Sequence, residues 1–243
     1  MIESHAMSEG VLLIDKPPGP TSHDVVQLVR RKLGLQRVGH AGTLDPMARG
    51  LLIVLIGRAT KHQQRLQGHE KTYEALLRLG LQTDTADATG AILRQADVPP
   101  LSSEGLQEVL ATFQGPSSQT PPAYSAVKVH GRPAYWWMRR KRSVALPART
   151  ITIFELSLLE ASAERIHFRV RCSAGTYVRT LAESIAQRLG TVGHLQELVR
   201  LSIGSWHVGQ AMSLATLAQA SAESLGAHLL PVDAIDGQHA PAP

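Results

Sequence analysis

Two periods of apolar and polar residues run through this chain. Residues 11–14 are a short apolar run that predicts a first strand, broken by the rigid turn segment Asp15-Lys16-Pro17-Pro18-Gly19-Pro20. From Ser22 onward the apolar positions Val25, Val26, Val29 and Leu33 fall at helical spacing, which predicts a helix capped by Ser22 and ended by Gly34. Residues 38–50 are rich in glycine and read as a loop, and the apolar run 51–56 behind them reads as a buried strand. Residues 71–80 alternate, with Tyr73, Ala75, Leu77 and Leu79 on one face and Thr72, Glu74 and Arg78 on the other. Residues 83–90 are polar and turn-forming. Ser102 or Ser103 caps a helix built on Leu106, Val109, Leu110 and Phe113. Alternation returns over 165–172, with Ile166, Phe168, Val170 and Cys172 inward. After the loop Ser173-Ala174-Gly175, Thr176 caps a helix using Val178, Leu181, Ile185 and Leu189. A strand near 201–208 and a helix from Ser213 close the pattern, and residues 236–243 read as a disordered tail. Strands and helices mix without regular βαβ alternation. This predicts an α/β fold of the α+β kind, a mixed and mostly antiparallel central sheet flanked by helices and loops, in one domain over 10–235.

Composition narrows the picture modestly. A chain of 243 residues can bury a full core without staples. Cys172 is the only cysteine, so no disulfide forms within the chain, which fits a reducing cytosol. The first ten residues carry no apolar leader pattern, and the run 51–56 is too short to span a bilayer, so a cytoplasmic protein is expected. The net charge of +5 matters less than where the charge sits. No acid occurs between Glu108 and Glu155, while that stretch holds Lys128, Arg132, Arg139, Arg140, Lys141, Arg142 and Arg149 among Tyr124, Tyr135, Trp136 and Trp137. Cations bind phosphate and rings stack on bases, so this stretch suits RNA; it also fits a solvated loop with some buried aromatics.

Four segments hold polar groups that a plain core would not need. The loop Gly39-His40-Ala41-Gly42-Thr43-Leu44-Asp45-Pro46 is tight and permits close approach of a ligand to the backbone. Its Asp45, taken alone, fits an Asp-Pro turn initiator better than a catalyst. Arg179 lies in the first turn of a helix, where acids are preferred; it is either a surface arginine or a cation aimed at an anion. Tyr73 reads as core or as a ring for a ligand. Asp84-Thr85-Ala86-Asp87 reads as a polar turn or as support for chemistry. Metal chemistry has no HExxH, CxxC or acidic cluster behind it despite eleven histidines, and hydrolase chemistry has no GxSxG. There is no Walker A or GxGxxG pattern for a nucleotide.

Taken in order, these segments resemble the bacterial tRNA pseudouridine-55 synthases, the TruB family. The match is carried by Lys16-Pro17-Pro18-Gly19-Pro20-Thr21-Ser22, the loop from Gly39 to Pro46, Lys71-Thr72-Tyr73, Thr83-Asp84-Thr85-Ala86-Asp87-Ala88-Thr89-Gly90, Gln119-Thr120-Pro121-Pro122-Ala123-Tyr124-Ser125-Ala126-Val127-Lys128, and Cys172-Ser173-Ala174-Gly175-Thr176-Tyr177-Val178-Arg179-Thr180. It runs from about residue 10 to about residue 235. The resemblance implies a pseudouridine synthase fold and an isomerase that detaches uracil from C1′ of its ribose, turns it and reattaches it through C5, with no cofactor and no metal. Asp45 would be the catalytic carboxylate, as nucleophile or as the group that starts glycosidic cleavage. Arg179 would pair with Asp45 and keep it ionised and aimed. Tyr73 would stack on the base and assist proton transfer, and His40 would contact the RNA and hold its flipped form. Lys16 and Asp87 would be supporting positions, and Leu198 would line the pocket. The substrate would be the T-arm of tRNA, its uridine flipped out of the T-loop. Residues 115–149 match an RNA-gripping thumb insertion, with Lys128, Arg139, Arg140 and Lys141 on the RNA.

The chain departs from the family pattern at three places. Ala41 replaces a threonine, Trp136-Trp137-Met138-Arg139-Arg140 replaces an Ala-Arg, and Leu198-Val199-Arg200 stands where Leu-Arg-Arg is usual. Little chain follows residue 235, so a C-terminal PUA-type domain is expected to be absent or vestigial. A monomer needing no protein partner is the expected form. Two alternatives stand beside it: a guide-dependent synthase subunit, which the short C-terminus disfavours, and a tRNA-binding or folding module, which the set Asp45, Tyr73 and Arg179 disfavours.

Overall fold

A computed structural model describes residues 9–235 of the chain. The expected tail, 236–243, lies outside the described residues. The chain begins with β1 (Gly10–Lys16), α1 (Ser22–Leu33), β2 (Val38–His40), β3 (Arg49–Ile56) and α2 (Gln63–Gly68). It continues with β4 (Lys71–Leu79), β5 (Leu81–Thr83), β6 (Ile92–Gln95), α3 (Ser103–Ala111), β7 (Gly115–Gln119), β8 (Lys128–Val129), β9 (Arg132–Pro133) and α4 (Ala134–Met138). Then come β10 (Arg149–Ser162), β11 (Arg165–Cys172), α5 (Val178–Arg188) and β12 (Gly193–Ile203). Last are β13 (Trp206–His207), β14 (Met212–Ser213), α6 (Leu214–Gln219) and α7 (Ala222–Ala227).

These elements form two compact units, one of residues 9–72 with 199–235 and one of residues 73–198. In the first, β1 pairs antiparallel with β3 from Gly10↔Ile56 to Lys16↔Gly50, and β2 also pairs antiparallel with β3. Two parallel contacts complete the pattern, β1 with β14 and Val199–Arg200 of β12 with Arg49–Gly50 of β3. The continuous apolar run 51–56 is buried throughout, as expected of a strand covered on both faces. Its Leu51, Ile53 and Leu55 join Val11, Leu13, Ile203 and Trp206 in one core.

In the second unit, β10 lies between β11 and β7, antiparallel to both. The alternation of β4 and β11 is realised: Tyr73, Ala75, Leu77 and Leu79 are buried, as are Ile166, Phe168, Val170 and Cys172. α5 buries Val178, Leu181, Ala182, Ile185 and Ala186. Gly193 lets that helix come close, since a Cβ there would lie 2.8 Å from both the Ala186 side chain and the Arg78 carbonyl oxygen. The sheet pairing is thus mixed and mostly antiparallel, as the patterning predicts.

Three local expectations are corrected. Thr21, not Ser22, caps α1: it accepts from the Asp24 amide while the Asp24 carboxylate accepts from the Thr21 amide, a capping box. Ser22 is instead buried as the first helical residue. Tyr177, not Thr176, is the cap of α5, and it has no side-chain cap bond. Part of the expected glycine-rich loop is strand, because residues 38–40 find the edge of β3.

Candidate active site

The site residues divide between the units. Asp45, His40 and Lys16 belong to the first; Tyr73, Asp87, Arg179 and Leu198 belong to the second, with the basic residues of 115–149. In the first unit, the loop between β2 and β3 is tied residue by residue. The Ala41 amide donates to Ile53 O at 2.9 Å. Ser22 Oγ bridges Leu44, accepting from its amide at 2.9 Å and donating to its carbonyl at 3.1 Å. Pro46 O accepts from the Gly19 amide at 2.8 Å and from Lys16 Nζ at 3.3 Å, and Ala48 N closes the turn on Asp45 O at 3.0 Å. The residues on both sides of Asp45 are therefore held by groups far away in sequence. Asp45 itself is only partly buried, on a loop whose main chain is held in place.

Lys16 is fully buried at the end of β1 and also donates to Pro17 O and Pro20 O, each at 2.9 Å. Burial pushes its pKa down to about 8, against the pull of the Asp45 carboxylate and with the help of the Arg200 cation. Lys16 thereby crosslinks the proline-rich turn to the Asp45 loop. His40 ends β2, and burial, followed by the cation of Arg200, lowers its pKa, so the ring is neutral at neutral pH.

In the second unit, Asp87 organises the polar turn. Its Oδ1 accepts from Thr85 Oγ1 at 2.7 Å, Thr89 Oγ1 at 2.6 Å and the Thr89 amide at 3.0 Å. Arg179 Nε lies 3.8 Å from Asp87 Oδ2. The same guanidinium donates through Nη1 to Thr85 O and through Nη2 to Tyr124 O, both at 2.9 Å. Arg179 is 4% exposed, which rules out the surface-arginine reading. It joins α5 to the turn at Asp87 and to the segment carrying Tyr124. Tyr73 and Leu198 are buried, on β4 and β12. Among the described residues, no group of three or more His, Cys, Asp or Glu could hold a metal ion.

Residues 120–148 leave the sheet after Gln119 and return at Arg149, which pair across β7 and β10. The excursion is organised by its aromatics. Trp137 Nε1 donates to Val129 O at 3.1 Å, and Trp136 meets Trp137 edge to face at 4.9 Å. The Arg140 guanidinium stacks 3.7 Å over Trp136 and Arg139 lies 5.5 Å from Tyr135. Lys128, Arg139, Arg140 and Lys141 are exposed.

Residues 30–178 match the N-terminal domain of the TruB family pseudouridylate synthases, and residues 179–235 match the tRNA pseudouridylate synthase B C-terminal domain. The chain belongs to the TruB family. It is 46% identical over 229 residues to the tRNA pseudouridine synthase B of Aromatoleum aromaticum, covering 94% of this chain and 74% of that relative. It is 42% identical to that of Opitutus terrae, covering 96% of each. Among solved structures it resembles a chain of a Cbf5-Nop10-Gar1 complex, with a TM-score of 0.73 and 30% identity over 96% of this chain. A chain of an H/ACA RNP bound to a substrate RNA containing 2′-deoxyuridine follows, at a TM-score of 0.69 and 28% identity. This TruB chain spans only 63% and 61% of those two longer chains. Among its described residues, no helix is long and apolar enough to cross a membrane.

Two residues of the TruB chain escaped the sequence reading. Gln119 caps α5 from a distance, donating to Tyr177 O at 3.1 Å and accepting from Tyr177 N at 2.8 Å. Arg200 is 1% exposed and bonded to the Asp45 loop. Both lie inside quoted motifs, but their partners are main-chain atoms, which leave no mark in a sequence.

Proposed function

We propose that this chain is a tRNA pseudouridine synthase that converts one flipped-out T-loop uridine, position 55, to pseudouridine, with Asp45 as the catalytic carboxylate. The reading is carried by one observation: Asp45 is only partly buried, on a loop whose neighbouring peptides are bonded to Ser22, Gly19 and Lys16. Such preorganisation is what an acid needs if it is to bond to C1′ or to stabilise charge there. The C1′–N1 bond breaks, a C1′–C5 bond forms, and the C5 proton is exchanged for one on N1. Substrate and product are isomers, so neither oxidant nor cofactor enters. Arg179 serves as the cation of the reaction and Tyr73 stacks on the base. His40, neutral, holds the flipped nucleotide, and Leu198 lines the pocket. Lys128, Arg139, Arg140 and Lys141 neutralise phosphates of the T-arm, helping to offset a flipping cost of roughly a few kcal/mol. The enzyme works in the cytoplasm as a monomer, without guide RNA or partner protein.

The test is incubation of the purified chain alone with unmodified tRNA transcripts, followed by mapping of pseudouridine. One product site in the T-loop, lost when that uridine is replaced by cytidine, is expected. Modification elsewhere, or only after guide RNA or a partner is added, contradicts the reading.

A further inference from the structure

Arg200 touches both arms of the loop that carries Asp45. Its main chain pairs with Gly50 at the start of β3. Gly50 has φ +105°, and a Cβ there would strike the Arg200 carbonyl oxygen and lie 2.8 Å from its amide nitrogen. From this base the guanidinium divides. Nε donates to Leu51 O at 2.7 Å, Nη1 to Thr43 O at 3.2 Å, and Nη2 to Gly42 O at 3.1 Å. Leu51 lies beyond the loop, whereas Gly42 and Thr43 lead into Asp45. One planar group therefore staples the downstream strand to the upstream arm, with Asp45 in the span between.

Holding the strand in the core does not require this. An apolar side chain would fill the site without the cost of burying a cation. Its Nη1 and Nη2 donate instead to the loop, where Thr43 is exposed and Gly42 partly so. The rigid fork of an arginine donates to these carbonyls from three separate nitrogens, whereas a lysine at this position would donate from one. We propose that Arg200 is a positioning residue for the reaction: by fixing the main chain at Gly42 and Thr43 it sets the aim of the Asp45 carboxylate. The proposal rests on the reading of Asp45 as the catalytic carboxylate.

The experiment compares wild type, Arg200→Lys, Arg200→Met and Asp45→Asn on unmodified tRNA transcript. It reads the single-turnover rate with enzyme in excess, tRNA affinity, thermal unfolding, and amide exchange over residues 42–45. A misplacement of about 1 Å at reacting atoms costs about 100-fold in rate. Arg200→Lys is therefore expected to bind tRNA with near wild-type affinity, react about 100-fold more slowly, and exchange faster at residues 42–45. Arg200→Met is expected to react no faster than Arg200→Lys. A wild-type rate in a folded Arg200 variant, or a loss of affinity equal to the loss of rate, overturns the proposal. If only one variant folds, that one decides; if neither folds, Arg200 is a core residue and the positioning role is overturned. Turnover by Asp45→Asn would instead remove the reading beneath the proposal. An inert Asp45→Asn beside a fully active Arg200→Lys would remove the positioning role alone.

Discussion

Gly50→Ala is the substitution that this protein should tolerate least for its size. The added methyl meets main-chain atoms of Arg200, which cannot rotate away, at a φ that side chains rarely adopt. A loss of about 2–4 kcal/mol is expected in denaturant unfolding; a loss near zero would mean that β3 and β12 can move apart there. Lys16 permits a second test. Its native pKa of about 8 lies below the ordinary lysine value of 10.5. Between those values the unfolded chain holds a proton that the native protein has released, so this group makes stability rise with pH across that window. Lys16→Met should lack that rise. Parallel stability curves for the two proteins between pH 8 and 10.5 would show that Lys16 keeps its proton. Among single residues, legibility followed the type of partner. Thr21 could have been chosen over Ser22 as the cap, because Asp24 stands at capping-box spacing. Arg179 announced itself only as a cation in an unfavourable first turn. Its burial, like that of Arg200, depends on carbonyl oxygens dozens of positions away, and every residue carries a carbonyl.

At the scale of elements, strands written in strict alternation were readable at once, and β4 and β11 needed no tertiary information. The start of α5 was not, because its cap comes from Gln119 on β7 rather than from a neighbour. Gln119→Ala should leave the Tyr177 amide without its acceptor and cost about 1 kcal/mol, typical of a lost cap. Thermal unfolding would check this, and an unchanged midpoint would show that water replaces the bond. The segment 120–148 was legible as a basic, aromatic stretch, but its internal order was not. Trp136 and Trp137, which depart from the family pattern, pack on each other and carry Arg140. Replacing Arg139, Arg140 and Lys141 together by alanine should flatten the salt dependence of tRNA binding, by up to about 0.7 log units per lost phosphate contact. An unchanged slope would place these side chains away from the RNA.

For the molecule as a whole, hydrophobic patterning was enough for the fold class, since a mixed sheet with irregularly placed helices leaves few other arrangements. The division into two compact units was not legible: β4 and β12 carry the boundary at Thr72 and Leu198 within continuous strands, where no linker composition marks it. The candidate site divides at the same points, with Asp45 in one unit and Tyr73, Asp87 and Arg179 in the other. No single motif could therefore identify it, and only their order along the chain did so. The reading of Asp45 as the residue that opens the glycosidic bond is tested most directly by one comparison. Pseudouridine formation in the T-loop of an unmodified tRNA is measured for wild type and Asp45→Asn, with binding followed in parallel. Complete conversion by the wild type, and none by Asp45→Asn at near wild-type affinity, is expected. Measurable turnover by Asp45→Asn would contradict it.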